Sequence, residues 1–213
     1  MFIASLLIDF DGTACPFDVS EELLDEFGHG DWRALDEAVD RGELGLREAA
    51  EAQAAMLHTT REQMLAFALD RFTLDETFPP FVAWAEARGL PLAVISDGFG
   101  FYVRPILERA GLGDVEVMTN DYVDGALVHP FAHPVCVGCG TCKMQAAVRF
   151  RDRYGALYSD LVFAKKELVR ICTEDGVPYL DWETFHDVRA SLESTAEAPG
   201  PVSPERCPGW RLA

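Results

Sequence analysis

Positive charge is what this chain of 213 residues has least of: 18 Lys and Arg stand against 36 Asp and Glu, a formal net charge of −18. That balance argues against a nucleic-acid partner, because binding a phosphate backbone needs clustered basic side chains that release counterions. It also means that an anionic ligand has to be drawn in locally, by a metal ion, a lysine or backbone N–H groups. Long apolar runs are missing as well. None approaches the ~20 residues of a membrane span, so no membrane partner is expected. The opening MFIASLLIDF lacks the basic start and small-residue cleavage site of a secretion signal and reads as a core strand, which makes the cytoplasm the expected location. Cysteine is present six times, but a chain with this much apolar core does not need disulfide staples.

What is there is an ordinary globular composition, 49% hydrophobic and 25% charged, at a length that favours one domain with room for an inserted cap. Phe2 to Ile8 is an apolar run of the kind that is covered on both faces of a parallel sheet. From Val19 to Leu74 the stretches EELLDEF, WRALDEAVDRGEL, LREAAEAQAAML and REQMLAFALDRF carry apolar residues at helical spacing. Thr60 followed by Gln63 predicts a capping box. This helical stretch holds no obvious chemistry. After Pro79-Pro80 an α/β alternation returns: helix FVAWAEARG, strand LPLAVISD, helix YVRPILERAGL, then short strands in VEVMTND and ALVHP. A helix in MQAAVRFRDRYG, strand DLVFAK, helix ELVRICTEDG, strand VPYLDW and helix ETFHDVRASLE follow, and the tail shows no periodicity.

The chemistry concentrates where the first strand ends. Ligands of open α/β sheets bind outside the carboxyl ends of the strands. Asp9 and Asp11 stand just past such an end, with Gly12 giving the chain room to turn. One carboxylate can attack phosphorus and form an aspartyl-phosphate, while the second protonates the leaving oxygen and later activates water. Two acids so close also suit a hard divalent cation, which prefers oxygen ligands and substrate phosphates. The plain alternative is a pair of solvated acids in a loop, and the apolar strand before them and Thr13 after them weigh against it.

These residues carry a resemblance. DFDGT at Asp9 to Thr13 resembles the first motif of the haloacid dehalogenase superfamily, and ISDGFGFYVRPILERAGL resembles its second. Lys143 in GTCK resembles the third, a lysine that neutralises phosphate and nucleophile. The order of the motifs and the helical insert between the first two resemble the phosphoserine phosphatase group. Within it the likeness is greatest to the methionine-salvage phosphatases that act on 2-hydroxy-3-keto-5-methylthiopentenyl-1-phosphate. The resemblance, which covers residues 1–193, implies a flavodoxin-like parallel sheet core at 1–17 and 76–193 and a helical cap at 18–75; the tail at 194–213, rich in Pro, Ala and Glu, reads as disordered from its composition. It further implies Asp9 as nucleophile and Asp11 as acid/base, with Mg²⁺ held by Asp9 and Asp11. The phosphate would be bound by Ser96, Asp97, Gly98 and Lys143, and the substrate would be a small phosphorylated metabolite. Asp97 stands where many relatives carry glycine. Outside the resemblance, Ser96 also fits a helix cap and Lys143 a surface lysine.

One departure matters. The resemblance implies a helix, a strand and a Gly-Asp-Gly-x-x-Asp loop after the lysine, which takes ~18–25 residues by ordinary element lengths. Here only eight residues separate Lys143 from Asp152. Either the strand and Gly-Asp are deleted and Asp152 is the last acid left, or ALYSD is a replacement strand ending in Asp160; the deletion is the preferred reading. With fewer acids a catalytically weak or inactive relative that acts as a binding protein is the alternative to an enzyme. The run Cys136, Cys139, Cys142 lacks the further cysteine and proline of a ferredoxin cluster. Zinc would need a fourth ligand such as His129 or His133, and the simpler reading is a tight loop of small residues that lets Lys143 reach the phosphate.

Overall fold

The computed structural model of the protein describes residues 5–135, 138–143 and 161–194. Its central sheet is built from apolar segments in the spatial order β1 (Leu6–Asp9), β2 (Leu92–Phe99), β3 (Glu116–Val123) and β4 (Ala126–Val128). β1 and β2 pair in parallel, Leu6 opposite Leu92 and Asp9 opposite Ile95. β2 and β3 are also parallel, with the register breaking between Ile95 and Phe99. β4 returns antiparallel after a turn in which Asp124 and Gly125 both take positive φ, a conformation that Asp and above all Gly tolerate. The expected α/β class with a parallel-dominated sheet is what the chain forms.

Parallel strands need crossovers. β2 reaches β3 through α6 (Gly100–Arg109), whereas β1 reaches β2 through five helices: α1 (Val19–Phe27), α2 (Arg33–Asp40), α3 (Leu46–Ala55), α4 (Arg61–Arg71) and α5 (Phe78–Glu86). The capping box at α4 is present, Gln63 N donating to Thr60 Oγ1 and Thr60 N to Gln63 Oε1. Two boundaries differ from expectation. Pro79 and Pro80 lie inside the first turn of α5 rather than before it, since a missing N–H does no harm where the helix has no partner for it. β2 does not stop at Asp97 but carries Ser-Asp-Gly on to Phe99.

The remaining elements are β5 (Phe163–Ala164) paired in parallel with β6 (Leu180–Asp181), α7 (Glu167–Asp175) and α8 (Phe185–Ser194). α8 packs on α5 through an aromatic cluster. The ring of Phe185 lies 4.9 Å from Phe78, 5.2 Å from Phe81 and 4.9 Å from Trp182. Phe185 N also donates to Thr77 Oγ1 at 3.0 Å. Trp32, Trp84 and Trp182, expected in the core, are all buried. Among the described residues no helix is long and apolar enough to cross a membrane. The helix read from MQAAVRFRDRYG, the short interval after Lys143 with Asp152 and Asp160, Cys136, and residues 195–213 of the tail lie outside the described residues.

Candidate active site

Phe10, fully buried, anchors the strand end, and the chain turns tightly behind it. Thr13 N and Cys15 N both donate to Phe10 O, and Ala14 N to Asp9 O. Gly12 takes φ 71 in this turn, where an L side chain would be strained. The two flanking acids then meet different surroundings. Asp9 is half-exposed, and Lys143 Nζ lies 2.9 Å from its Oδ1. Asp11 turns inward: Oδ1 accepts from Val19 N at 3.0 Å, at the start of α1, and Oδ2 accepts from Ser96 Oγ at 2.8 Å.

The parallel register explains Ser96. With Asp9 opposite Ile95, the next residue of β2 comes level with the turn that carries Asp11. Ser96 Oγ also accepts from Gly98 N at 2.8 Å, whereas α6 begins without a side-chain cap, so the serine is not the helix cap that its position also suggested. A β-carbon on Gly98 would stand 2.7 Å from Asp11 Oδ2 and 2.9 Å from Ser96 Oγ and would collide with Tyr102 OH, so only glycine fits. Asp97 Oδ1 accepts from Thr141 N at 2.9 Å and its carbonyl from Asn120 Nδ2 at 2.6 Å, which ties β2 to the loop that carries Lys143. Sequence reading missed Tyr102 and Ser20. The phenol hydroxyl lies 3.3 Å and 3.4 Å from the two oxygens of Asp11 and 2.8 Å from Ser20 Oγ. Ser20 lies in no motif; Tyr102 lies within ISDGFGFYVRPILERAGL, in the first turn after Gly98, and only that position hints at a role.

These groups surround a cleft of about 240 Å³ whose lining includes Asp9, Asp11, Ser96, Asp97, Gly98 and Lys143. Leu24, Trp32, Leu46, Ala50 and Ala54 of the helical insert form an apolar wall. Among the described residues, six carboxylates (Asp9, Asp11, Asp18, Glu21, Asp36, Asp97) line it with one basic side chain, Lys143. Burial, then the charge of Asp18, pushes the Asp11 carboxyl up to about 7 although Ser96 and Val19 N oppose the shift. Burial likewise raises Asp97, against the pull of Lys143. Burial alone would lower Lys143, but the carboxylates of Asp9 and Asp97 outweigh it and hold the ammonium above its ordinary value. Among the described residues the lining is strongly negative, so an anionic ligand there would call for further positive charge.

Among the described residues no three His, Cys, Asp or Glu side chains converge as a metal site. His129 has both ring nitrogens engaged, Nδ1 at 2.8 Å from Asn120 Oδ1 and Nε2 at 3.0 Å from Glu51 Oε1. His133 Nδ1 accepts from Val135 N at 3.1 Å.

Comparison with known proteins matches residues 6–164 to the haloacid dehalogenase-like hydrolase family. The chain is 26% identical to a 2-hydroxy-3-keto-5-methylthiopentenyl-1-phosphate phosphatase of Bacillus velezensis, over 90% of this chain and 91% of the relative. It is 28% identical to the protein of the same name from Geobacillus thermodenitrificans, over 88% and 94%. Among solved structures, a haloacid dehalogenase family hydrolase of Salmonella enterica serovar Typhi superposes with a TM-score of 0.67 at 18% identity, covering 89% of this chain and 70% of that one. Phosphoserine phosphatase from T. onnurineus superposes at 0.66 and 18%, covering 91% and 98%. At such identities these two structures speak for the fold.

Proposed function

The chain belongs to the haloacid dehalogenase-like hydrolase family, and from that premise we propose that it is a Mg²⁺-dependent phosphatase of a small phosphorylated metabolite. The observation that carries the reading is Lys143 Nζ at 2.9 Å from Asp9 Oδ1, on the same cleft as Ser96 and Asp11. Lys143 and Ser96 bind the transferring phosphate and set phosphorus before Asp9, whose carboxylate attacks it. The bond to the leaving oxygen breaks as that oxygen takes the proton of Asp11; Asp11 later takes a proton from the water that attacks phosphorus, and the bond from phosphorus to Asp9 breaks, freeing inorganic phosphate and the Asp9 carboxylate. Asp97 holds the lysine loop, and Gly98 leaves space for the other groups.

The donors facing the cleft are oxygens, the set a hard divalent cation takes. Asp9 is the first ligand we assign. Asp11 is the second, and to offer its carboxylate it has to leave Ser96 and Val19 N. The ion supplies the positive charge that one lysine lacks against a phosphate dianion. We take residues 18–75 as the cap, with core at 1–17 and 76–193. The apolar wall of Leu24, Trp32, Leu46, Ala50 and Ala54 suits an alcohol with an apolar tail. The methylthio-ketose phosphate in the names of the relatives is therefore the first metabolite to assay. The cytoplasm is the location we assign, since so apolar a core needs no disulfides.

Hydrolysis of an aryl phosphate with and without Mg²⁺ tests this, followed by a panel of phosphorylated metabolites. Asp9→Asn should abolish turnover while leaving the circular dichroism unchanged, because an amide cannot attack phosphorus. Near-normal turnover in that variant would remove Asp9 as nucleophile. No hydrolysis of any phosphate by the wild type would favour a binding protein instead.

A further inference from the structure

The loop 138–143 ends on Lys143 and is gripped from two sides. From the core, Asp97 Oδ1 accepts from Thr141 N at 2.9 Å, Asn120 Oδ1 from Thr141 Oγ1 at 3.3 Å, and Phe131 O from Cys142 N at 3.0 Å. From the helical insert, Arg47 of α3 donates through Nε and Nη2 to Cys139 O, at 2.9 Å and 2.8 Å. The main-chain Arg47 N adds a bond to Gly138 O at 3.2 Å. One turn further along α3, Glu51 holds His129, which in turn stands on Asn120. Residues i and i+4 share one face of a helix, so one face of α3 grips the loop and a core residue that orders it. Gly140 leaves no slack: a β-carbon there would lie 2.8 Å from both side-chain polar atoms of Asn120 and 2.9 Å from His129 Nδ1.

We propose that Arg47 is a positioning residue: by holding the Cys139 carbonyl it makes docking of the helical insert and placement of Lys143 beside Asp9 a single event. The inference rests on the reading of Lys143 as phosphate ligand. A guanidinium suits the task, since two N–H groups of one rigid plane converge on a single carbonyl in charge-assisted bonds. Only Gly140, Thr141 and Cys142 separate that carbonyl from Lys143, so its displacement passes directly to the ammonium. With α3 lifted, Cys139 O loses both donors and the loop relies on its core contacts. Phosphoryl transfer depends on positioning and charge neutralisation, and a displacement of about 1 Å lowers such a rate by ~10²-fold.

Arg47→Ala and Arg47→Lys in the full chain test the proposal by two readouts. Hydrogen exchange at the Thr141 and Cys142 amides should be roughly tenfold faster in Arg47→Ala, as expected for the loss of a hydrogen bond to a charged donor, with partial return in Arg47→Lys. In turnover of aryl phosphates with small and bulky leaving groups, kcat should fall by about 10–100-fold for both, with KM little changed. Unchanged exchange at Thr141 and Cys142 overturns the proposal. So does a loss confined to the KM of bulky leaving groups, which would make Arg47 a wall of the cleft. If the wild type hydrolyses nothing, the phosphatase reading fails and the exchange result alone decides on the positioning. Exchange of the β2 amides is the control for unfolding. Should Arg47→Ala accelerate those too, Arg47→Lys decides: faster exchange confined to Thr141 and Cys142 supports the proposal, and wild-type rates overturn it.

Discussion

At Asp11 burial and hydrogen bonding pull in opposite directions, and burial wins, with the carboxyl pushed up from 3.8 to about 7. A carboxyl raised on folding binds its proton more tightly folded than unfolded, so its contribution to stability is full below about pH 4 and is lost as pH rises toward 7. Asp11→Asn keeps the shape and has no charge to lose. In chelator, its urea stability should equal the wild type's near pH 4 and exceed it by a few kcal/mol at pH 8, the gap opening between. A gap that does not change with pH would show that the Asp11 carboxylate is not penalised by the fold. Asp9, Ser96 and Lys143 were legible in the sequence, because strand-end acids, a hydroxyl and a lysine in a fixed order carry their chemistry in their residue types. Tyr102 and Arg47 were not. Tyr102 meets Asp11 across 91 residues and Arg47 meets Cys139 across 92, and nothing local to either residue announces such a contact.

Elements were legible where periodicity was strong, and their ends were not. The helices of the insert follow their apolar spacing, and the Thr60–Gln63 signature starts α4 where it predicts. β2 overruns its expected end because neighbouring strands, not its own residue types, decide how far pairing extends. The aromatic seam between α5 and α8 was only half visible: Phe81 and Phe185 fall in stretches that read as helices, whereas Phe78 precedes the expected start of α5 and the mutual contact belongs to the fold. Phe185 is 2% exposed and far in sequence from every cleft residue. Phe185→Ala should lower stability by about 3–5 kcal/mol through lost contacts and a cavity, with kcat unchanged in the folded fraction. Urea unfolding followed by tryptophan fluorescence measures it, and a loss below 1 kcal/mol would mean that the seam collapses onto the gap.

At the scale of the whole molecule the excess of acid over base does not by itself make a site for the proposed metal. Distant surface carboxylates are screened beyond a Debye length of ~8 Å, so the net charge of −18 does little for a cation in the cleft. Asp9 is the carboxylate that faces it, while Asp11 is engaged elsewhere. Mg²⁺ held by one or two carboxylates draws the rest of its shell from water and substrate phosphate. Calorimetric titration should therefore find Mg²⁺ binding alone with Kd on the order of 1 mM, tightening when inorganic phosphate is present. Tight binding without phosphate would show that Asp152, Asp160 or another acid completes the site, and that the short interval after Lys143 is not a deletion.

The pairing of Lys143 with Asp9 spans 134 residues of chain, and that of Ser96 with Asp11 spans 85. Parallel strands joined by long crossovers are slow to close, because the entropy of the loop is lost before the contact is made. Asp9 is therefore synthesised well before the lysine it pairs with, which follows 134 residues later. Until Lys143 arrives, Asp9 lacks the ammonium that stands 2.9 Å from it in the folded chain. The cleft is thus a late product of folding, complete only when the loop of Lys143 has closed on the end of β1.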